Sequence, residues 1–167
     1  MRDPLARFRS GFYSRKRKGQ PRLHVEWSQY EVEAFSRFEH ANDLAEALFR
    51  PDELGEMAFA AIKSIRHTSQ NQVDWFDLCG HFLKLRPPVA IIRQEKFRED
   101  MCFLQARLGM KQFLIIEKDE VRSHQTDYSG VPELSALAIA NLRRWYAQDF
   151  EFYRICDEWM AKAQAGD

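Results

Sequence analysis

Three polar side chains near the start of the chain have the types and the spacing that bind phosphate groups. Arg2 stands just before a predicted helix start at Asp3-Pro4, where aspartate can cap the helix and proline suits its first position. Arg7 and Ser10 are three residues apart, so they share one face of that helix. An arginine fork and a hydroxyl beside the free N–H groups of a helix N-terminus suit a phosphate dianion. The spacing therefore predicts an oxyanion site.

The segment that holds these residues is strongly basic. Residues 1–22 contain eight lysines and arginines and one acid, whereas the other 145 residues contain 17 basic and 24 acidic side chains. A basic segment on an acidic body indicates a polyanion or phosphate site near the N-terminus. The alternative is a solvated arm, or a face that pairs with the acidic body. Nucleic-acid binding through residues 15–18 is disfavoured, because few aromatic side chains interleave with the basic run.

Length and composition limit the class of protein. A chain of 167 residues with 45% apolar residues predicts a single domain over residues 1–167. No apolar run approaches the roughly 18 residues that span a membrane, and no secretory signal follows the basic N-terminus. Three cysteines, an odd number, indicate free thiols in a reducing compartment. These features predict a cytoplasmic protein without a membrane span.

Hydrophobic periodicity predicts a helix-dominated α/β fold. Caps and apolar spacing predict helices over 4–17, after Ser28, after Asn42, after Asp52, and over 96–108 and 135–163. Two short apolar runs, at 89–92 and 113–116, predict buried strands. In the helix over 96–108, Phe97, Met101, Leu104 and Leu108 lie on one face.

The pattern Arg-Asp-Pro-x-x-Arg-x-x-Ser-Gly-Phe at residues 2–12 resembles the 3′-phosphate-binding segment of the sulfotransferase superfamily, whose members use 3′-phosphoadenosine 5′-phosphosulfate (PAPS). Residues 64–76, 88–108 and 134–153 resemble later parts of its bacterial and carbohydrate-type members, in the same order. The resemblance implies that Arg2 and Ser10 grip the 3′-phosphate of PAPS or of adenosine 3′,5′-bisphosphate. It gives Arg7, which recurs in the family motif, an orienting role.

The same resemblance implies the C-terminal part of a P-loop-like sulfotransferase fold, without the N-terminal strands and the 5′-phosphosulfate loop. The implied activity is sulfuryl transfer from PAPS, as co-substrate, to a hydroxyl of a carbohydrate-like acceptor, without a metal. No 5′-phosphosulfate loop is found in this sequence. We therefore expect the chain alone to bind the nucleotide weakly and to turn over little or not at all, and we assign no catalytic residues. Three explanations fit the absent loop: the chain is a fragment or late-start product, a degenerate relative, or half of a split enzyme.

A second hypothesis is a non-catalytic helical interaction module derived from a sulfotransferase. Absent N-terminal strands would leave an exposed sheet edge. Such an edge would need covering by a second copy of the chain or by a missing N-terminal half.

Other residues are weaker candidates for a site. His67 and Trp75 lie in a polar stretch that is a candidate acceptor cleft, with an ordinary surface loop as the alternative. A polar loop with Arg122, His124 and Thr126 is a candidate for closing the donor pocket, and an ordinary surface loop is again the alternative. Cys79 and His81 have no second ligand pair at metal-binding spacing. Neighbouring carboxylates, such as Glu99 and Asp100, point apart on a helix and indicate solvated faces.

Overall fold

The computed structural model describes residues 1–76, 81–110 and 128–166. Within these ranges the chain forms eight α-helices, and 3₁₀ turns lie at Gln72–Trp75 and Gln94–Lys96. The α-helices are α1 (Pro4–Lys16), α2 (Gln29–Arg37), α3 (Ala41–Ala47), α4 (Glu53–Ser64), α5 (Phe82–Leu85), α6 (Phe97–Arg107), α7 (Ala136–Trp145) and α8 (Ala147–Ala165).

The predicted α/β class is wrong, because the ranges that the structure describes contain helices and no β-strand. Residues 89–92, predicted as a strand, are irregular. The hydrogen bonds of this segment's backbone are isolated. The Met1 nitrogen donates to the Ile92 carbonyl at 2.6 Å, and the Ile91 N–H donates to Met160 Sδ at 3.1 Å. A strand needs a ladder of neighbouring pairs, and two isolated bonds do not make one. The P-loop-like sulfotransferase architecture is therefore corrected to an all-helical one, and the other predicted strand, 113–116, lies outside the described residues.

The chain divides into two compact units. The first comprises Met1–Pro4, Asn71–Glu117 and Gln148–Asp167, and the second comprises Leu5–Gln70 and Lys118–Ala147. In the first unit the rings of Phe76 and Phe82 stack at 5.6 Å, and Phe76 also lies 5.0 Å from the ring of Phe152. These rings border a core of Val73, Leu83, Ile91, Phe152, Cys156 and Met160.

The second unit is built around α1, which buries one aromatic face. Phe8 packs against Tyr146 with ring centroids 6.3 Å apart, and Phe12 packs edge-on against Phe35 at 5.3 Å. Elsewhere in this unit α3 packs on α4 and α7, and α2 packs on α4. The side-chain amide of Asn141 on α7 donates to three carbonyls at the end of α3, at 2.9–3.2 Å, and so satisfies acceptors that the helix leaves open.

Local caps were the most reliable sequence signals. The capping box of Ser28 and Glu31 begins α2, as predicted. A helix also begins at Pro51-Asp52, as predicted, and the structure shows that the Asp52 side chain caps it. Asn42, predicted as a cap, lies inside α3, where its side chain accepts the Ser135 N–H at 2.9 Å. The single helix predicted over 135–163 is interrupted at Tyr146, a fully buried residue between α7 and α8.

The apolar residues of α6 do not form its buried surface. Phe97 and Leu108 are exposed, and the buried residues of the helix are Asp100 and Gln105. Asp100 was predicted to be solvated. Instead its carboxylate accepts both the backbone N–H of Arg93, at 2.8 Å, and the Nε–H of Arg93, at 2.9 Å. A buried ion pair therefore takes the place that periodicity assigned to apolar contacts.

Candidate oxyanion site at helix α1

The structure fixes the backbone of Arg2 within the first unit. Its N–H donates to Gln72 Oε1 at 2.8 Å, and Gln72 Nε2 donates back to the Arg2 carbonyl at 3.0 Å. The fully buried carboxylate of Asp149 in turn accepts the backbone N–H groups of Gln72 and Val73, at 2.8 and 3.0 Å. Asp149 and Gln72 together therefore act as positioning residues for the backbone of Arg2.

The side chain of Arg2 shows an unusual feature. Within the described residues its Nε–H is buried and has no hydrogen-bond partner. Buried polar groups nearly always have a partner, and an unpaired donor on a charged group is costly. This atom is therefore a candidate contact for an anion.

One acid, Glu95, lies close to the same segment. The Asp3 N–H donates to Glu95 Oε1 at 3.0 Å, and the hydroxyl of Tyr153 donates to Glu95 Oε2 at 3.1 Å. Burial, together with the negative charge of Glu95, raises the pKa of Tyr153, which keeps that phenol protonated. Glu95 is thus fixed by two donors, and an anion near Arg2 would meet its negative charge.

Arg7 lies in the second unit and is 7% exposed. Its guanidinium carbon lies 4.9 Å from the centroid of the Tyr146 ring, and its Nη1 reaches the His67 carbonyl at 3.5 Å. The Tyr146 hydroxyl donates to the neighbouring Thr68 carbonyl at 2.6 Å. Arg7 therefore packs against the chain at residues 67–68. Ser10, one turn further along α1, is partly buried.

His67 lies against α1 because residue 11 is a glycine. A Cβ at Gly11 would stand 2.9 Å from the His67 Cβ and 3.0 Å from its carbonyl oxygen. Burial lowers the pKa of His67, and the charges of Arg15, Arg66 and Arg7 lower it further, against a smaller opposing effect of Glu31. The imidazole is therefore neutral near pH 7. The other predicted acceptor contact, Trp75, belongs to the first unit and is exposed.

Gly11→Ala is expected to lower the free energy of unfolding by about 1–3 kcal/mol, because the new methyl group forces α1 and residue 67 apart. The pKa of His67, followed by NMR titration, should rise toward 6.5 as its burial is lost. Gly166→Ala is the control, since its nearest neighbour would be an ordinary contact at 3.5 Å. Equal stability of the two variants, with an unchanged His67 pKa, would contradict the close packing.

Much of the basic N-terminal segment pairs with acids of the second unit. Such pairs support the earlier alternative of a basic face that pairs with the acidic body, and they leave less charge for nucleic acid. The pairs are Arg9–Glu133 at 2.8 Å, Arg15–Glu31 at 2.7 Å, Lys16–Glu39 at 2.8 Å and Lys18–Glu26 at 2.5 Å.

Sequence reasoning missed three residues of this region. Gln72 and Asp149 stand far from residue 2 in sequence, and nothing local marks them as partners of its backbone. Arg9 was visible as a third arginine in the motif, but its spacing alone gave no reason to single it out.

The remaining candidates add no second site. Arg122, His124 and Thr126, and also Cys79, lie outside the described residues. In the part of the chain that the structure covers, no group of three or more histidine, cysteine or acidic side chains could hold a metal ion. Nor does any helix there have the length and apolar character needed to cross a membrane. No protein-family model, curated protein or solved structure matches the chain.

Proposed function

We propose that residues 2–12 bind the 3′-phosphate of adenosine 3′,5′-bisphosphate, and that of PAPS in a complete sulfotransferase. The observation that carries the proposal is the buried Nε–H of Arg2, which lacks a hydrogen-bond partner within the described residues. A phosphate oxygen would satisfy this charged donor. The resemblance of residues 2–12 to the sulfotransferase motif adds the hydroxyl of Ser10 as a second proposed contact and gives Arg7 an orienting role.

A further observation supports the proposal. The backbone of Arg2 is held at both its N–H and its carbonyl by Gln72, which limits the positions that its side chain can reach. Glu95 opposes binding, and the affinity of the chain alone is accordingly proposed to be weak.

The reaction proposed for a complete enzyme is transfer of the sulfuryl group from PAPS to a hydroxyl of a carbohydrate-like acceptor. The bond from sulfur to the nucleotide phosphate oxygen breaks, a bond from sulfur to the acceptor oxygen forms, and the hydroxyl proton passes to a base. No residue of this chain is assigned as that base. The grip on the 3′-phosphate contributes by positioning the donor. His67 in the second unit, neutral near pH 7, is a proposed acceptor contact. Trp75 in the first unit is proposed separately, from its place in the sequence alone.

The interaction-module hypothesis loses its main support. It relied on an exposed sheet edge, and residues 1–76, 81–110 and 128–166 form no sheet. We therefore do not propose it as a second function.

The proposal is tested by calorimetric titration of the chain with adenosine 3′,5′-bisphosphate. Arg2→Ala should weaken binding by roughly tenfold or more, since a hydrogen bond to a charged group contributes about 1.5–3 kcal/mol. Ser10→Ala should weaken it less, by roughly threefold to tenfold, because its hydroxyl is uncharged. Arg154→Ala is the matched control, because that arginine is exposed on α8 and pairs with Glu151 and Glu158. Unchanged affinity in Arg2→Ala would overturn the proposal.

A further inference from the structure

Arg9, on α1 in the second unit, is held by two contacts on one side of its guanidinium. Its Nη1 donates to Glu133 Oε2 at 2.8 Å, and its guanidinium carbon lies 4.3 Å from the centroid of the Tyr128 ring. Tyr128 in turn packs edge-on against Tyr13, with centroids 6.0 Å apart. The plane of the guanidinium is therefore fixed by an aromatic face and one carboxylate.

The other edge of the same guanidinium is unsatisfied. Both Nε and Nη2 of Arg9 are buried, and neither has a hydrogen-bond partner within the described residues. These two nitrogens form the edge with which arginine binds two oxygens of one anion side-on. Buried donors nearly always have a partner, so two unpaired N–H groups on one charged guanidinium call for an acceptor.

Two other buried arginines of the chain show what this edge normally holds. Arg15 donates from Nε and Nη2 to the two oxygens of Glu31, each at 2.7 Å. Arg93 uses Nε and Nη2 for Asp100, and its Nη1 for a second acid, Asp157. Arg9 resembles Arg93 in part. Its Nη1 donates to a carboxylate, as that of Arg93 does, but its Nε and Nη2 have no carboxylate. A guanidinium of this chain can thus hold two anions at once.

We infer that Nε and Nη2 of Arg9 form a second oxyanion subsite, which binds a phosphate or sulfate group side-on. Arg9 and Ser10 are neighbours on a helix, so their side chains leave the axis about 100° apart, and this subsite is distinct from the proposed 3′-phosphate contact at Ser10. The atoms that shield the edge must move aside for the anion to enter. Once there, the anion is shielded from water, which strengthens its attraction to the guanidinium.

The subsite is tested with inorganic sulfate and inorganic phosphate as probes, at constant ionic strength set with chloride. Either ion should raise the midpoint of thermal unfolding above its value in chloride or acetate, because a ligand that binds only the folded state stabilises it. Arg9→Lys keeps the charge and loses the two-donor edge, so the apparent affinity for sulfate should fall by roughly tenfold. Arg2→Lys should retain the part of the sulfate-induced rise in midpoint that Arg9→Lys removes. The part of the response that depends on Arg9 reports this subsite alone, and its failure is therefore distinguishable from failure of the nucleotide titration.

A second variant covers the case in which Arg9→Lys fails to fold. Glu133→Gln removes the neighbouring negative charge and keeps a hydrogen-bond acceptor for Nη1. Sulfate should then bind more tightly than in the wild-type chain, by roughly threefold, as expected for relief of an exposed like charge. Equal midpoints in sulfate, phosphate, acetate and chloride would overturn the inference. Sulfate affinity that is unchanged in Arg9→Lys, or not improved in Glu133→Gln, or matched by acetate, would do the same.

Discussion

Arg15→Met should lower the free energy of unfolding by about 3–5 kcal/mol, because it leaves the buried carboxylate of Glu31 without its counter-charge. Both residues of the pair are 3% exposed. Arg15 also donates to the carbonyls of Val25 and Glu26, each at 3.2 Å, so its loss leaves further acceptors unpaired. The pair therefore joins α1, α2 and the chain between them.

The control for this variant is Lys18→Met. Lys18 forms an ion pair of similar length with Glu26, but Glu26 is 69% exposed, and exposed pairs contribute only about 0–1 kcal/mol. Chemical denaturation of the two variants measures the difference directly. A loss in Arg15→Met within about 1 kcal/mol of the loss in Lys18→Met would contradict the buried-pair account.

The same pair sets a pH dependence. Burial opposes the ionisation of Glu31, but hydrogen bonds from Arg15 and from the backbone N–H groups of Ser28 and Arg66 outweigh it and lower its pKa from 4.5 to about 2. Because the folded-state pKa lies below the unfolded-state value, the ionised group stabilises the fold above pH 4.5. That stabilisation is lost as the pH falls toward 2. The stability difference between the wild-type chain and Glu31→Gln should therefore shrink over this window, and a constant difference would contradict the assignment.

Asp100→Ala is the second change with a large expected effect, again a loss of about 3–5 kcal/mol. Arg93 is 1% exposed, and Asp100 accepts its Nε, its Nη2 and its backbone N–H. The interaction between the two groups raises the pKa of Arg93, so this guanidinium stays charged at any ordinary pH. Without Asp100 this buried cation would retain, among the described residues, the partly exposed Asp157 as its partner.

The loss should extend toward the candidate site in the first unit. Gln94, next to Arg93, donates its N–H to the Met1 carbonyl at 2.9 Å, and Met1 immediately precedes Arg2. Lys96→Ala is the control, because the half-exposed Lys96 pairs at 3.3 Å with the half-exposed Asp157 and makes no ion pair with the buried Asp100. Hydrogen exchange of the Arg2 and Gln94 amides should quicken in Asp100→Ala and not in Lys96→Ala. Equal exchange rates in both variants would contradict the proposed link between the Arg93–Asp100 ion pair and the backbone of Arg2.

The helices were predictable because their signals are local. A cap such as Ser28 with Glu31, or Asp52 before α4, acts within one turn of chain, and the sequence shows all of it. The irregular conformation of residues 89–92 could not be predicted from such local signals. A β-type run forms a strand only when a neighbouring segment completes a ladder, and here the segment packs Ile91 into the core beside Met160.

The same distinction between local signals and distant partners applies to the candidate site. The spacing of Arg7 and Ser10 is a property of one helix, which begins just after Arg2, and it could be taken from the sequence. The partners that hold Arg2, namely Gln72 and Asp149, lie 70 or more residues away and are visible only in the fold. Asp100 shows the reverse error, since a charged residue on a helix was assigned to solvent and its buried partner could not be foreseen.

The central claim is that this chain recognises the 3′-phosphate of a nucleotide. The most direct measurement is calorimetric titration of the wild-type chain with adenosine 3′,5′-bisphosphate and, in parallel, with adenosine 5′-phosphate, which lacks only that group. The account predicts that the bisphosphate binds and that the monophosphate binds roughly tenfold or more weakly, the effect of one lost charge-assisted contact. Equal affinities, or no heat of binding with either nucleotide, would contradict it.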